Sequence, residues 1–145
     1  MANFDLTTTQ LGGAIAEGLA RWTPNFAATA TFDATKTPLA ASDTADLLII
    51  PAGTIVLGVG YKILTPEGAA DTFDVGDSGS GTRYFSNVSS NQAAGTVGWI
   101  VPAVEGTPNV VGYLQAAANK LRINADAALT VAKIQFFVIG FTPPA

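Results

Sequence analysis

The chain has 145 residues, the length of one ordinary domain, and a formal net charge of −4 with no histidine. This acidic balance argues against a nucleic-acid partner, which normally requires a basic patch to neutralise phosphates. Only 12 % of the residues are charged and 48 % are hydrophobic, whereas a typical domain has about 25 % charged residues. So few charges do not cover a whole surface, and part of it is expected to contact another protein.

Cysteine and histidine are both absent. The usual transition-metal ligands, disulfides and thiol or imidazole catalysis are therefore absent too, and we predict no metal, no cofactor and no enzyme activity. The first ten residues contain no Lys or Arg and lack the basic start of a secretory signal. The longest apolar run, 47–61, contains a proline and is shorter than the roughly 20 residues of a membrane helix. We expect a soluble, cytosolically made protein with no membrane partner.

Strand-forming residues dominate the composition. Val, Ile and Thr together number 37, against 15 for Glu, Lys, Arg, Gln and Met, the straight-chain helix formers. The 15 glycines and 8 prolines supply many turns. We predict an all-β fold, a single β-sandwich or jelly-roll-like domain over residues 28–145.

The first 27 residues precede any convincing strand and are predicted to form an N-terminal arm, extended or partly helical. An apolar stripe at helical spacing, which we call the arm stripe, consists of Leu11, Ile15, Leu19 and Trp22. Three glycines between residues 12 and 18 weaken a helix there by up to about 1 kcal/mol each. We expect the arm to be ordered by whatever it touches, with the arm stripe as its contact surface.

The predicted strands of the domain are 29–33, 44–50, 54–65, 71–75, 82–86, 110–116, 120–124 and 129–141. The clearest is 54–65, where the odd-numbered positions from Ile55 to Ile63 are apolar, and the alternation predicts one buried face. Because only Pro51, Ala52 and Gly53 separate it from 44–50, these two strands are predicted to pair as a hairpin. The last strand ends apolar on both faces, which predicts that both of its faces are covered.

Carboxylates cluster in the turns of the central region. Asp71, Asp74 and Asp77, with Glu67 nearby, are the residue types that bind Ca²⁺, but their spacing fits no EF-hand, and we interpret them as turn residues. The triplet 77–79, Asp-Ser-Gly, matches the aspartic-protease motif but lies in a glycine- and serine-rich run without an apolar lead-in. These residues predict no active site.

Residues 87–109 lack a strand pattern, and loops of that length usually have a function. Within this segment we predict that three residues contact a partner: Trp99, Ile100 and Val101. Elsewhere Tyr84, Phe85 and Tyr113 are predicted core or oligomer-interface residues.

One region has a specific family likeness. The sequences IPAGT (50–54), VLGVG (56–60), LTPEGAA (64–70) and TFDVGD (72–77) resemble the head decoration, or cement, proteins of tailed bacteriophages, over roughly residues 44–90. The resemblance implies a β-sandwich that assembles as homotrimers on the outer capsid surface of the virion after synthesis in the host cytoplasm. It also implies the major capsid protein as partner, and an arm that reaches the capsid or a neighbouring trimer.

Two alternatives use other features of the chain. A tail or fibre adhesion module that binds a receptor or glycan would use the 87–109 loop with Trp99. A wall- or capsule-degrading hydrolase would have to use carboxylates such as Asp71, Asp74 and Asp77.

Overall fold

The excess of β-branched residues gives strands throughout residues 26–102 and 112–142, the part of the chain that the computed structural model describes. The strands are β1 (Phe26–Asp33), β2 (Thr44–Ile50), β3 (Thr54–Thr65), β4 (Thr72–Gly76), β5 (Phe85–Ser89), β6 (Val97–Ile100), β7 (Tyr113–Gln115), β8 (Asn119–Ala125) and β9 (Lys133–Phe141). Within these described residues there is no helix, so none is long and apolar enough to cross a membrane. The predicted all-β class is confirmed.

The strands form two antiparallel sheets that face each other. One has the order β1-β9-β3-β6, with β7 also paired to β3, and the other has the order β2-β8-β4-β5. Alternate side chains of both sheets meet between them in one core that includes Phe73, Ile123 and Phe136, each 0 % exposed. The aromatic rings of Tyr61, Phe73 and Phe136 pack edge to face within it. The predicted β-sandwich is confirmed.

The predicted hairpin of residues 44–50 and 54–65 is wrong, although both strands have the predicted bounds. β2 pairs with β8 and β3 pairs with β9, so the connection 51–53 carries the chain from one sheet to the other. Ile50 and Val56 therefore enter the same core from opposite sides. Gly53 makes the sharp change of direction with φ of 77° and donates its N–H to the Gln115 carbonyl at 2.7 Å.

The single buried face predicted for β3 is also wrong at its beginning. Val56, Val59 and Ile63 are 0 % exposed, whereas Ile55 and Leu57 are only partly buried. The pairing with β9 shifts between Val56 and Gly58, so Leu57 is an extra residue, a β-bulge. The bulge moves the inward side from even to odd positions and turns Ile55 outward.

Other boundaries differ for local reasons. β1 begins at Phe26, two residues before the predicted domain start. The strand predicted at 82–86 begins at Phe85, because Arg83 and Tyr84 lie in the loop that leads into it. The last strand begins at Lys133, and Leu129 makes only an isolated bridge to Leu39. The region 87–109, predicted to be a loop, contains most of β5 and all of β6; its residues 103–109 lie outside the described residues.

Candidate interaction surface

The outer face of the five-stranded sheet carries large apolar side chains. In β9 the inward residues Phe136 and Val138 are fully buried, so Phe137, Ile139 and Phe141 point to the opposite side. The strand register places other outward residues beside them. We call the resulting set the apolar face: Ile55, Trp99, Leu114, Phe137, Ile139 and Phe141. Trp99 and Leu114 are 45 % and 54 % exposed, so the face is open to a partner.

Two glycines of β3 form the floor under Trp99. A Cβ at Gly58 would lie 1.9 Å from the indole Cζ2, and a Cβ at Gly60 would lie 2.3 Å from the Phe137 ring. The two rings are nearly parallel, with centroids 5.4 Å apart. Glycine is therefore required at both positions by the closeness of the rings, which gives the face a flat aromatic centre.

The charged residues within the described strands of this sheet lie toward one end of it. Lys62 and Gln135 pair across β3 and β9, and the next row holds the ion pair of Lys133 Nζ with Asp33 Oδ2 at 3.3 Å. The apolar face lies at the other end, where β1 begins at Phe26 opposite Gly140. A partner at this end therefore meets apolar side chains.

The outer face of the four-stranded sheet is polar by contrast. Asp46 of β2 accepts hydrogen bonds from Lys120 Nζ at 3.0 Å and Arg122 Nε at 2.8 Å, both on β8. These three residues and the 64 % exposed Ile49 line a shallow cavity of about 400 Å³. The two outer faces of the sandwich thus differ in chemistry, and the five-stranded sheet has the surface that resembles an interface core.

The Asp-Ser-Gly triplet forms an ordered loop that ties the two sheets together. The Asp77 side chain is 0 % exposed and pairs with Arg83 Nε at 2.6 Å. Gln115 of β7 donates to its carboxylate at 2.9 Å, and the backbone N–H groups of Gly79 and Ser80 donate at 2.8 and 2.9 Å. Burial alone would raise the pKa of Asp77, but these hydrogen bonds outweigh it and hold the pKa below its ordinary value.

Glu67 is a second carboxylate with a structural role. It accepts four hydrogen bonds from the turn before β9: from the Thr130 N–H and hydroxyl, the Val131 N–H and the Ala132 N–H, at 2.7–2.9 Å. Partial burial opposes ionisation, yet these bonds keep the pKa of Glu67 below its ordinary value.

The carboxylates that we interpreted as turn residues make separate contacts. Asp74 accepts the Asn87 N–H at 2.7 Å, away from the bonds made by Glu67 and Asp77. Among residues 26–102 and 112–142, no three acidic side chains come together in a way that would hold a metal ion.

Only some of the predicted site residues lie in the part of the chain that the structure describes. The arm stripe and residues 103–111 lie outside the described residues. Trp99 points outward and Val101 is 47 % exposed, but Ile100 packs against the core.

The three aromatic residues predicted as core or oligomer contacts, Tyr84, Phe85 and Tyr113, contact other residues of the same chain. Tyr84 is 2 % exposed, and burial raises its pKa to about 12. Phe85 packs edge to face on Tyr61 at 5.2 Å, and the Arg83 guanidinium lies 4.1 Å from the centre of the Tyr113 ring. These three rings are engaged within the chain, and we do not include them in the apolar face.

Sequence reasoning did not identify the rest of the apolar face as a site. The sequence contained one signal for it, the second apolar side of β9 from Phe137 to Phe141. This pattern predicted a covered face but did not show which other strands contribute to it. Ile55 and Leu114 join it only through the β3 bulge and the β3–β7 pairing.

No family profile and no curated protein matches the chain. Solved structures with a similar fold do exist. A chain in the capsid asymmetric unit of cyanophage Pam1 has a TM-score of 0.58 and 22 % identity, over 83 % of this chain and 86 % of that chain. A chain in the capsid of Ralstonia phage GP4 has a TM-score of 0.55 and 17 % identity, over 84 % and 88 %. A chain in the acid-stable capsid of the Helicobacter pylori bacteriophage KHP30 has a TM-score of 0.59 and 15 % identity, over 82 % and 88 %. This chain therefore shares its β-sandwich fold with chains of three phage capsids.

Proposed function

We propose that this chain is a structural virion protein, a decoration (cement) protein that binds the outer capsid surface of a tailed phage as trimers. The observation that carries the proposal is the apolar face, an exposed sheet face with an aromatic centre in a chain with few charges. The fold likeness to chains of three phage capsids supports it. The partner is the major capsid protein, and stabilisation of its lattice is the function.

The mechanism needs binding energy distributed over several capsid subunits. Each large apolar side chain buried at the lattice contributes about 1.5–3 kcal/mol before ordering costs. Three copies in one trimer raise each other's effective concentration, so modest single contacts give high avidity. A trimer that bridges neighbouring subunits then opposes their separation.

The arm stripe is the proposed capsid-docking segment. These residues, Leu11, Ile15, Leu19 and Trp22, precede β1, and β1 is an edge strand of the five-stranded sheet. Val101 and the outward-facing Trp99 are proposed to contribute further contacts.

The carboxylates are engaged in ways that support a non-enzymatic role. Asp77 and Glu67 hold loops through several hydrogen bonds each, and their lowered pKa values favour the charged acceptor rather than a proton donor. Asp77 is one of the three carboxylates named for the hydrolase alternative, and these hydrogen bonds support a structural role for it.

Reconstitution on capsids tests the proposal. Purified heads of the source phage are mixed with this protein and imaged by cryo-electron microscopy. We expect one protrusion of three copies at each local threefold position on the outer surface. Density confined to the tail or fibres, or no density on the heads, would contradict it.

Deletion of residues 1–25 tests the docking segment. The deletion leaves β1 intact, so we expect a folded trimer with head binding reduced at least 100-fold in co-sedimentation. The matched control replaces Leu11 and Leu19 with Met, which keeps the stripe apolar and should bind normally. Full binding by the truncated chain would assign docking to another surface.

Adhesion is the second candidate, because Trp99 presents a partly exposed indole beside Phe137, as in sugar-binding platforms. A glycan array and a host-cell binding assay distinguish the two. Binding there that is lost in Trp99→Ala, together with no binding to heads, would favour adhesion.

A further inference from the structure

We propose that, in the protein free of the capsid, residues 1–25 of the same chain fold over the apolar face, with the arm stripe packed on it. The inference rests on the proposed function only in one respect, since it makes the capsid the competitor that draws the arm away.

The apolar face requires a cover. Within it, Leu114 and Trp99 are 54 % and 45 % exposed, and none of residues 26–102 or 112–142 lies over the face. Contiguous apolar surface of this kind is rare on monomeric soluble proteins and favours association. The arm stripe is a second apolar surface of the same chain, so packing one on the other removes both from water.

The arm is attached where it can reach the face. It ends at Phe26, the first residue of β1, and β1 is the edge strand of the same sheet. Phe26 lies opposite Gly140, next to Phe141, which is at the apolar end of the sheet. Three residues lie between Trp22 and Phe26, and the four Cα–Cα steps span up to about 14 Å. Leu114 of β7 lies on the opposite side of the face, three strand spacings or about 14 Å from β1.

The two surfaces match in length. A helical stripe from Leu11 to Trp22 is about 16 Å long, and the four strands from β1 to β6 are about 14 Å across. The charged end of the sheet, with Lys62 and Lys133, lies away from the point where the arm enters. The arm therefore crosses the sheet over the aromatic rings.

Attachment favours the chain's own arm over a second copy. A short tether gives the arm an effective concentration in the millimolar range, whereas a second copy must lose translational and rotational freedom to bind. On the capsid, several lattice contacts at once outweigh this one internal contact, and the arm is released to bind there.

Cysteine cross-linking tests the contact, and the chain has no native cysteine to interfere. Leu11→Cys, at the end of the stripe that reaches the far side of the sheet, is combined with Leu114→Cys on the apolar face, or with Ile49→Cys as the control on the polar face. Ile49 is similarly exposed, at 64 % against 54 %. In dilute protein without heads, we expect the Leu114 pair to form an intrachain cross-link at least 10-fold faster than the Ile49 pair. Equal rates would overturn the proposal, and so would cross-links that form only between chains.

Fluorescence gives a second test that needs no cross-link. Trp22 and Trp99 are the only tryptophans, so Trp22→Phe leaves Trp99 as the single reporter and keeps the stripe apolar. We expect acrylamide quenching of Trp99 to rise at least two-fold when residues 1–25 are deleted. Unchanged quenching would overturn the proposal. Both tests omit the capsid, so their failure leaves the decoration function standing, and absent head binding leaves this contact standing.

Discussion

At the scale of single residues, carboxylates hold loops against strands. Glu67 accepts four hydrogen bonds from the turn that starts β9, and Asp77 joins the loop after β4 to Gln115 of β7. In both cases several hydrogen-bond donors take the place of the water that the charged carboxylate loses on burial. Each carboxylate therefore stabilises one conformation of its loop.

Glu67→Gln is expected to lower the free energy of unfolding by about 2 kcal/mol. The new amide places an N–H₂ group, a donor, against the donors of Thr130, Val131 and Ala132. Urea unfolding monitored by circular dichroism measures the change. Asp71→Asn is the matched control, since no described residue forms a hydrogen bond with the Asp71 side chain. An equal loss in both variants would contradict the role of Glu67.

Asp77→Asn is expected to cost about 3 kcal/mol at neutral pH, because the buried partner of Arg83 loses its charge. The pKa of Asp77 is lowered on folding, so its contribution is present above the ordinary value of 3.8 and is lost as the pH falls through the lower pKa of the folded state. Unfolding curves from pH 7 to pH 2 should therefore fall less steeply below pH 4 for the variant. An unchanged slope would show that Asp77 does not contribute to the acid sensitivity.

At the scale of elements, β3 organises the molecule. Its bulge at Leu57 directs Val56 into the core and Ile55 to the outside, and its two glycines accept Trp99 from β6 and Phe137 from β9. The apolar face thus depends on one strand with small residues in the right places.

Gly58→Ala tests this close contact. All three nearest atoms to a Cβ at Gly58 belong to Trp99. We expect the substitution to cost about 2 kcal/mol in the native chain and less than about 0.5 kcal/mol in a Trp99→Ala background, where that ring is absent. Chemical unfolding of the four chains of this cycle gives the coupling energy. An equal cost in both backgrounds would mean that Trp99 does not lie over Gly58.

At the scale of the whole molecule, one outer face of the sandwich carries the apolar face at one end, and the opposite outer face carries the Asp46, Lys120 and Arg122 cluster. With only 18 charged residues in 145, head binding is expected to rest on apolar burial. Affinity for heads should therefore change less than about 3-fold between 0.1 and 0.5 M NaCl, because screening acts on exposed charges. Co-sedimentation with heads at both salt concentrations measures this, and a loss of 10-fold or more would assign binding to charged groups.

The trimer is a separate prediction at this scale. Sedimentation equilibrium at micromolar concentration is expected to give three times the mass of one chain. A monomer at that concentration would remove the avidity on which the proposed mechanism depends.

Local patterns were sufficient for the fold class and for several strands. The β-branched composition predicted an all-β sandwich, and the bounds of β2 and β3 follow from alternation and from the Pro51–Gly53 break. Residue spacing also predicted that the last strand is apolar on both sides, because hydrophobic periodicity is a local property of a strand.

Tertiary structure decided which strands pair and which side of each strand points outward. Adjacency in sequence favoured a β2–β3 hairpin, but both strands are apolar and bury their inner sides best from opposite sheets of one core. The bulge that turns Ile55 outward depends on the register with β9, a strand about 80 residues away. The apolar face exists only because β9, β3, β6 and β7 come together, and no local pattern contains that long-range pairing.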